Sequence, residues 1–274
     1  AAAGNPRRPR VVRHSTETLE VLLDKPDLEP PAGWIEEGAG LLWTLDGNVD
    51  LDEEAGGAMC PAPLLVTIGQ PDDDAQIYLD LEVDGVVSLA GDIEVARDLA
   101  RSMLTELALA PLADTLQVIV IGDLVEPDAS HFDHVQMVET WDDIAEDLIF
   151  WAGESHEALQ ENGWDNTFVA RGNEPDHDAL VPIVVIATKP PPPELLASLL
   201  ETRPSAVAIV VADEFEGAAA SICCSAEALT IDDIDLSFVP QQVDADELQA
   251  MARLLVFDDP PTPKSQDGQV DGEG

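Results

Sequence analysis

The sequence predicts an α/β fold, a mostly parallel sheet with helices on both faces, preceded by a small β-rich unit. Three observations predict it. Continuous apolar runs such as "LQVIVIGD", "VPIVVIA" and "AVAIVVA" have the composition of strands covered on both faces. Between them lie stretches whose apolar residues recur at helical spacing, and strand–helix alternation of that kind builds a parallel sheet. The opening stretch instead shows short segments cut by Pro and Gly, a pattern of strands and turns.

The elements follow in chain order. Residues 1–10 read as a basic linker without fixed structure, since they hold Arg7, Arg8 and Arg10 and no apolar periodicity. Residues 11–58 form the β-rich unit, with "TLEVLLDKP", "PPAGW" and "GLLWTLDG" as short strands and turns. Residues 59–257 form the α/β unit, which opens with "LLVTIG" and "QIYLDLEV" around the hairpin turn "GQPDDDA". "VVSLA" is a buried strand, and a helix from about Asp92 to Leu109 gathers Ala96, Leu99, Ala100, Met103, Leu104 and Leu107 on one face. "TWDDIAEDLIFWAGESHEAL" puts Trp141, Ile144, Leu148 and Trp151 on one stripe behind Thr140. "PPPELLASLL" starts a helix with Pro in the tolerated first turn. "SICCS" and "LSFVP" read as late strands, and Asp244 with Glu247 forms a capping box for a last helix. Residues 258–274 are an acidic tail with no periodicity.

Charge is the strongest compositional signal. Lys plus Arg number 12 against 56 Asp plus Glu, a formal charge of −44. The first 13 residues hold four arginines (Arg7, Arg8, Arg10, Arg13) and no acid, which leaves eight basic against 56 acidic groups beyond them. Such a body repels phosphate backbones and argues against direct binding of nucleic acid. It suits a basic protein partner or a halophile's solvation shell, and solvation is the plainer reading. No run of roughly 18 or more apolar residues marks a membrane span, and "AAAGNPRRPR" lacks the apolar region of a signal peptide. Cys60, Cys223 and Cys224 make no disulfide framework, which points to a reducing compartment. With no initiator Met, the chain reads as part of something longer.

The stretch "LAGDIEVARD" lies where strand gives way to helix, the place of a phosphate-binding loop of pattern G-x-x-x-x-G-K-[ST]. Gly91 holds the first position, but Ala96, Arg97 and Asp98 stand for the second Gly, the Lys and the hydroxyl residue. Such a loop works through backbone N–H groups, one Lys and one hydroxyl on Mg²⁺. Arg97 carries charge without the compact ammonium. Asp92, Glu94 and Asp98 each repel a phosphate charge by about 3 kcal/mol at ~5 Å and an effective dielectric of ~20. Other constellations are weaker. His131-x-x-His134 with Asp128 and Asp133 lacks a companion pair at zinc spacing and reads as a loop. Cys223-Cys224 reads as two small buried hydrophobes. No G-x-S-x-G is present, and Ser15, Ser130 and Ser155 have no nucleophile setting. No catalytic residue, metal or cofactor is expected on these grounds.

The ordered set "LLVTIG", "IYLDLEVDGVVSLAGDIEVARDLARSMLTELAL", "LQVIVIGD", "HVQMVETWDDIAEDL", "VPIVVIA" and "AVAIVVAD" resembles the ATPase core of FtsK/SpoIIIE-type translocases. The phrases "LLVTIG", "YLDLE", "LAGDIEVAR" and "PPPPELL" resemble more closely the central region of actinobacterial proteins that join membrane helices and a LysM domain to a bacterial transcriptional activator domain (BTAD). The resemblance spans roughly residues 11–257 and implies a degenerate P-loop NTPase-like sheet. In that family a strand ends in Asp-Glu, to hold Mg²⁺ and activate water. Here "VVIATK" puts Ala187 and Thr188 in those places, and Asp123 after "VIVIG" is the only acid well placed at a strand end, where it reads as solvated. The resemblance also implies that the arginine strip flanks a membrane span on its cytoplasmic side.

The reading that follows is a non-catalytic structural or regulatory interaction domain of a larger, membrane-anchored LysM/BTAD-type protein. It is expected to bind a protein partner of basic character and no nucleic acid, and not to be an enzyme. The alternative is a divergent FtsK-like translocase NTPase for secretion or conjugation, completed by a partner's residues. A DNA-binding regulator is a third reading, and the charge argues against it.

Overall fold

Strands with apolar residues at every position must be covered on both faces, and two layers of helix do this here. The computed structural model describes residues 7–47, 61–71, 74–110, 115–125, 135–231 and 234–257. The N-terminal strands are β1 (Pro9–His14), β2 (Thr18–Leu23), β3 (Trp34–Glu37), β4 (Leu42–Asp46), β5 (Leu65–Gln70) and β6 (Gln76–Asp80). After a helical turn α1 (Leu81–Asp84) come β7 (Val86–Gly91), α2 (Ile93–Leu109), β8 (Gln117–Ile121) and β9 (Val135–Val138). Then follow α3 (Ala145–Asn162), α4 (Thr167–Asn173), β10 (Ile183–Ala187), α5 (Pro193–Glu201) and β11 (Val207–Val211). The chain closes with β12 (Ala220–Cys224), β13 (Leu229–Ile231), β14 (Ile234–Pro240) and α6 (Ala245–Phe257).

All the strands belong to one 14-stranded sheet of order β3-β4-β2-β1-β6-β5-β14-β13-β12-β7-β11-β10-β8-β9. The six strands β12-β7-β11-β10-β8-β9 run parallel. The predicted alternation accounts for this part, because helical crossovers return the chain in the same direction. Along β8 and β10 the faces alternate. Val118, Val120, Val184 and Ile186 pack with Leu99, Met103 and Leu104 of α2, whereas Ile119, Ile121, Ile183 and Val185 pack with Leu148 of α3 and Leu195 and Leu199 of α5.

The expectation of a mostly parallel sheet is corrected. Pairings from β3 through β13 are antiparallel, and they outnumber the parallel ones. The cause is local in part. Short turns force antiparallel return between successive strands, as in β1–β2, β3–β4, β5–β6 and β12–β13–β14, and the pairings of β2 with β4, β1 with β6 and β5 with β14 are made at long range. The β-rich stretch is not a separate layer either, for β1 pairs with β6 and continues the same sheet.

The basic N-terminus is tied down from Arg7 onward. β1 starts at Pro9, inside the stretch expected to be a linker, and Arg8 is 2% exposed. Its guanidinium donates to Asp80 at 2.7 and 2.9 Å, to Glu82 at 2.8 Å and to Thr167 Oγ1 at 2.8 Å. Arg7 pairs with Asp27, Arg10 with Asp84 and Arg13 with Glu20. The arginine strip thus folds back onto the chain's own acids. No helix among the described residues is long and apolar enough to cross a membrane.

Candidate functional site

Doubly wound sheets hold their ligands in the crevice beyond the carboxyl ends of the parallel strands. Two features lie there. One is the β7–α2 junction, where Gly91 (φ +96°) turns the chain. The other is a cleft of about 600 Å³ lined by Arg97, Ile121, Gly122, Asp123, Glu139, Thr140, Trp141, Thr188 and Lys189.

The junction has the position of a phosphate loop but not its free donors. Asp92 N–H donates to the Cys224 carbonyl at 2.9 Å, and the Asp92 carboxylate accepts from Glu94 N–H at 3.0 Å. The chain's own anion thus caps the helix end where a phosphate would sit. A Cβ at Gly91 would overlap the Cys224 carbonyl, so the turn is closed against β12. Ala96 is fully buried and faces the core, and Asp98 pairs with Arg101. These residues do not fit a phosphate cradle built from backbone.

The cleft is built differently. β8 ends at Ile121, and Gly122 (φ +95°) turns the chain where a Cβ would overlap Thr188 Oγ1. β10 ends at Ala187, fully buried, and Thr188 N–H donates to the Ile121 carbonyl at 3.2 Å, locking the two strand ends together. Beyond β9, Thr140 and Asp143 form a capping box over the 3-10 turn Trp141–Asp143. Trp141, 7% exposed, donates from Nε1 to the Lys189 carbonyl at 3.1 Å and fixes the third wall. Arg97 reaches in from α2, its Nη2 3.5 Å from Asp123 Oδ1.

Two polar atoms in this cleft are buried without a hydrogen-bond partner, Thr188 Oγ1 and Arg97 Nε. The Thr188 hydroxyl stands close to Asp123 without full hydrogen-bond geometry, and together with Arg97 and Lys189 it holds the Asp123 carboxyl below the usual carboxylate range. Asp123 is itself solvated, 72% exposed in its side chain, as its place at a strand end predicts.

The sequence-predicted positions thus separate. Gly91, Ala96 and Asp98 belong to turn, core and helix surface, whereas Arg97, Asp123 and Thr188 converge on the cleft, where Lys189 joins them. Sequence reasoning missed Gly122, Glu139, Thr140 and Trp141 as cleft residues. The Gly-Asp pair directly after "VIVI" was the available signal for the first, since Gly at a strand end marks a close approach. His131, His134, Asp128, Asp133 and Cys60 lie outside the described residues. Among those described, no cluster of His, Cys, Asp or Glu could hold a metal ion on its own. Cys223 is exposed, contrary to the expectation of two buried thiols, whereas Cys224 is buried.

No family model matches the sequence. No curated protein matches it either. Solved structures of similar shape exist. The pCW3 conjugation coupling protein TcpA, solved as a monomer with ATPγS, matches over 88% of this chain and 90% of its own at 12% identity and TM-score 0.49. The cytoplasmic domain of the type VII secretion ATPase EccC of Thermomonospora curvata matches over 84% of this chain and 33% of its own, at 15% identity and TM-score 0.46. EccC ATPases 2 and 3 from the same organism, in complex with a signal sequence peptide, match over 70% and 46% at 14% identity and TM-score 0.49. The likeness is one of fold. Against the expectation that the chain is not an enzyme, these neighbours are an ATPγS-bound coupling protein and secretion ATPases.

Proposed function

We propose that this chain is a divergent FtsK-like translocase ATPase module serving secretion or conjugation. The observation that carries the reading is the parallel set β12-β7-β11-β10-β8-β9, whose carboxyl edge opens into a cleft bordered by Arg97 and Lys189. Cations at that edge are what a nucleotide triphosphate requires. Because Asp92 occupies the end of α2, the active unit includes residues from a neighbouring subunit or domain. The cargo class follows from charge. At −44 the chain disfavours a phosphate backbone and suits a polypeptide of basic character. The wider context we propose is the LysM/BTAD-type membrane protein that the sequence phrases resemble, with this region on the cytoplasmic side.

The test is a calorimetric titration of the whole chain with magnesium ATPγS, paired with ATP turnover measured across a range of protein concentrations. Saturable binding, with turnover per chain rising as concentration rises, is the expected result. An absence of binding at millimolar nucleotide refutes the reading.

A further inference from the structure

The amino ends of β7 and β11 lie at the edge of the sheet opposite the cleft. A small cavity there is lined by the aliphatic side chains of Val86, Leu199, Val207 and Ile209, and by Arg203 and Ser205. Arg203 comes from the loop between α5 and β11, and its Nη2 donates to the Glu82 carbonyl at 3.1 Å and to the Val83 carbonyl. Those bonds fix the guanidinium but bring it no full negative charge. Nη1 is buried and has no hydrogen-bond partner among the described residues. It lies against Gly85 (φ +69°), where an added Cβ would overlap it. Of the acids that act on Arg203, Glu82 is shared by Arg8 and Arg171, and Asp84 is paired with Arg10 at 3.1 Å. Burial outweighs the pull of both acids, with Arg8 adding to it, and holds the guanidinium below the usual arginine range. A buried cation so placed is costly unless an anion reaches it.

The cavity selects the anion. Its volume is about 10 Å³, room for one water-sized group, so phosphate, nitrate and carboxylates are too large. A water fits but leaves the charge unmet. A halide is a single atom, scarcely larger than water, and is hydrated weakly enough to sit against aliphatic side chains. We propose that Arg203 Nη1 and the hydroxyl of Ser205, a residue 5% exposed, hold a chloride ion at the amino ends of β7 and β11. The half-buried Arg203 side chain gives the ion its way in and yields the small extra room it needs. In a chain of formal charge −44 an anion finds few such places. Here four arginines, Arg8, Arg10, Arg171 and Arg203, gather on α1 and its cap. The ion ties the α5–β11 loop to the start of β7, apart from any nucleotide chemistry at the other edge.

The experiment follows thermal unfolding of the whole chain while potassium chloride replaces potassium gluconate at constant ionic strength, so that screening of the chain's self-repulsion stays fixed. The melting temperature is expected to rise saturably with chloride, by about 2–4 °C at full exchange. Bromide should act like chloride, and nitrate should not. Ser205→Ala is expected to raise the half-saturating chloride concentration roughly threefold or more, and Arg203→Met to abolish the chloride-dependent rise. Because Arg203→Met also loses its bonds to two carbonyls, the broadening of the chloride NMR line by folded protein is a second readout, independent of stability. It is expected for the parent chain, reduced in Ser205→Ala and lost in Arg203→Met. A melting temperature and a line width that follow ionic strength alone overturn the proposal and leave water as the occupant. A chloride effect that survives Arg203→Met unchanged overturns it as well.

Discussion

Glu82 takes both prongs of the Arg171 guanidinium, Nη1 to Oε2 and Nη2 to Oε1, each at 2.7 Å, with the Glu82 side chain wholly buried. The same carboxylate accepts from Arg8 at 2.8 Å, so one side chain of α1 joins the residue before β1 to α4. Together Arg8, Asp80, Glu82 and Arg171 make a neutral set of two cations and two anions in a dry setting. Within such a set each charge depends on the others, and the loss of one strands its partners.

Arg171→Met is therefore expected to destabilise the chain by about 3–5 kcal/mol, because Glu82 keeps its burial and loses its principal partner. Urea unfolding of the variant and the parent measures this. A difference below about 1 kcal/mol would show that water or rearrangement replaces the pair.

Acid should remove the same stabilisation. Burial pushes Glu82 up, but Arg171 and Arg8 outweigh it and hold the carboxyl down at about 2. A depressed carboxyl contributes fully above its unfolded value, near 4.5, and loses that contribution as pH falls through about 2. Asp80, pushed up by burial against the pull of Arg8, acts in the opposite sense. The stability gap between the parent chain and Glu82→Gln is expected to shrink as pH falls from 5 towards 2. A constant gap refutes the coupling.

Gly91→Ala tests the closed junction. Gly91 adopts φ +96°, and an added Cβ overlaps the Cys224 carbonyl. The expected cost is about 1–3 kcal/mol, read as a lower urea midpoint. Gly153→Ala, in α3 with open space around the added atom, is the contrast and should be neutral or stabilising.

The adjacent thiols should react unequally. Burial, with the neighbouring Cys223 and Asp92, pushes the Cys224 thiol up to about 12, whereas Cys223 is exposed. Iodoacetamide at pH 8 followed by peptide mass mapping should mark Cys223 in the native chain and Cys224 only after unfolding. Equal labelling of both in the native state would disprove the packing of β12.

Salt should stabilise the fold. With a formal charge of −44 the chain repels itself, and molar salt shortens the screening length to about 3 Å. The melting temperature is expected to climb between 50 mM and 2 M KCl. A flat profile would remove self-repulsion from the account.

What was legible in the sequence, and what was not, follows from the range of the forces involved. The α2 helix emerged almost residue for residue, because its apolar stripe and the Asp92 cap are local signals. The Asp244–Glu247 capping box is likewise present, with both hydrogen bonds formed. Asp80 and Glu82 carry no local mark of their role. In "IYLDLEV" they alternate with apolar residues and so look like the wet face of a strand. The strand instead ends at Asp80, whose carboxylate caps α1, and both acids are buried by arginines from distant parts of the chain. Nothing within a local window announces Arg171 as a partner. The antiparallel share of the sheet was missed for a related reason, since β14 meets β5 only in three dimensions. In the site, Arg97 and Thr188 were seen as losses from a motif. Their shared cleft depends on the spatial adjacency of β8 and β10, which spacing along the chain does not reveal.

β14 joins β5 through two residue pairs, Val239 with Gln70 and Pro240 with Gly69. It lies on the other side against β13. The first six strands are thus synthesised long before the strand that connects them edge-on to the parallel set. Until β14 leaves the ribosome, β5 and β13 each carry a row of unpaired backbone groups. Open edges of that kind pair with other chains, and non-local closure is slow. A chain cut short before residue 234 therefore loses α6 along with β14, keeps its other helices and most of its strands, and exposes two sticky borders. Its failure would be one of aggregation during biogenesis, with nucleotide chemistry playing no part.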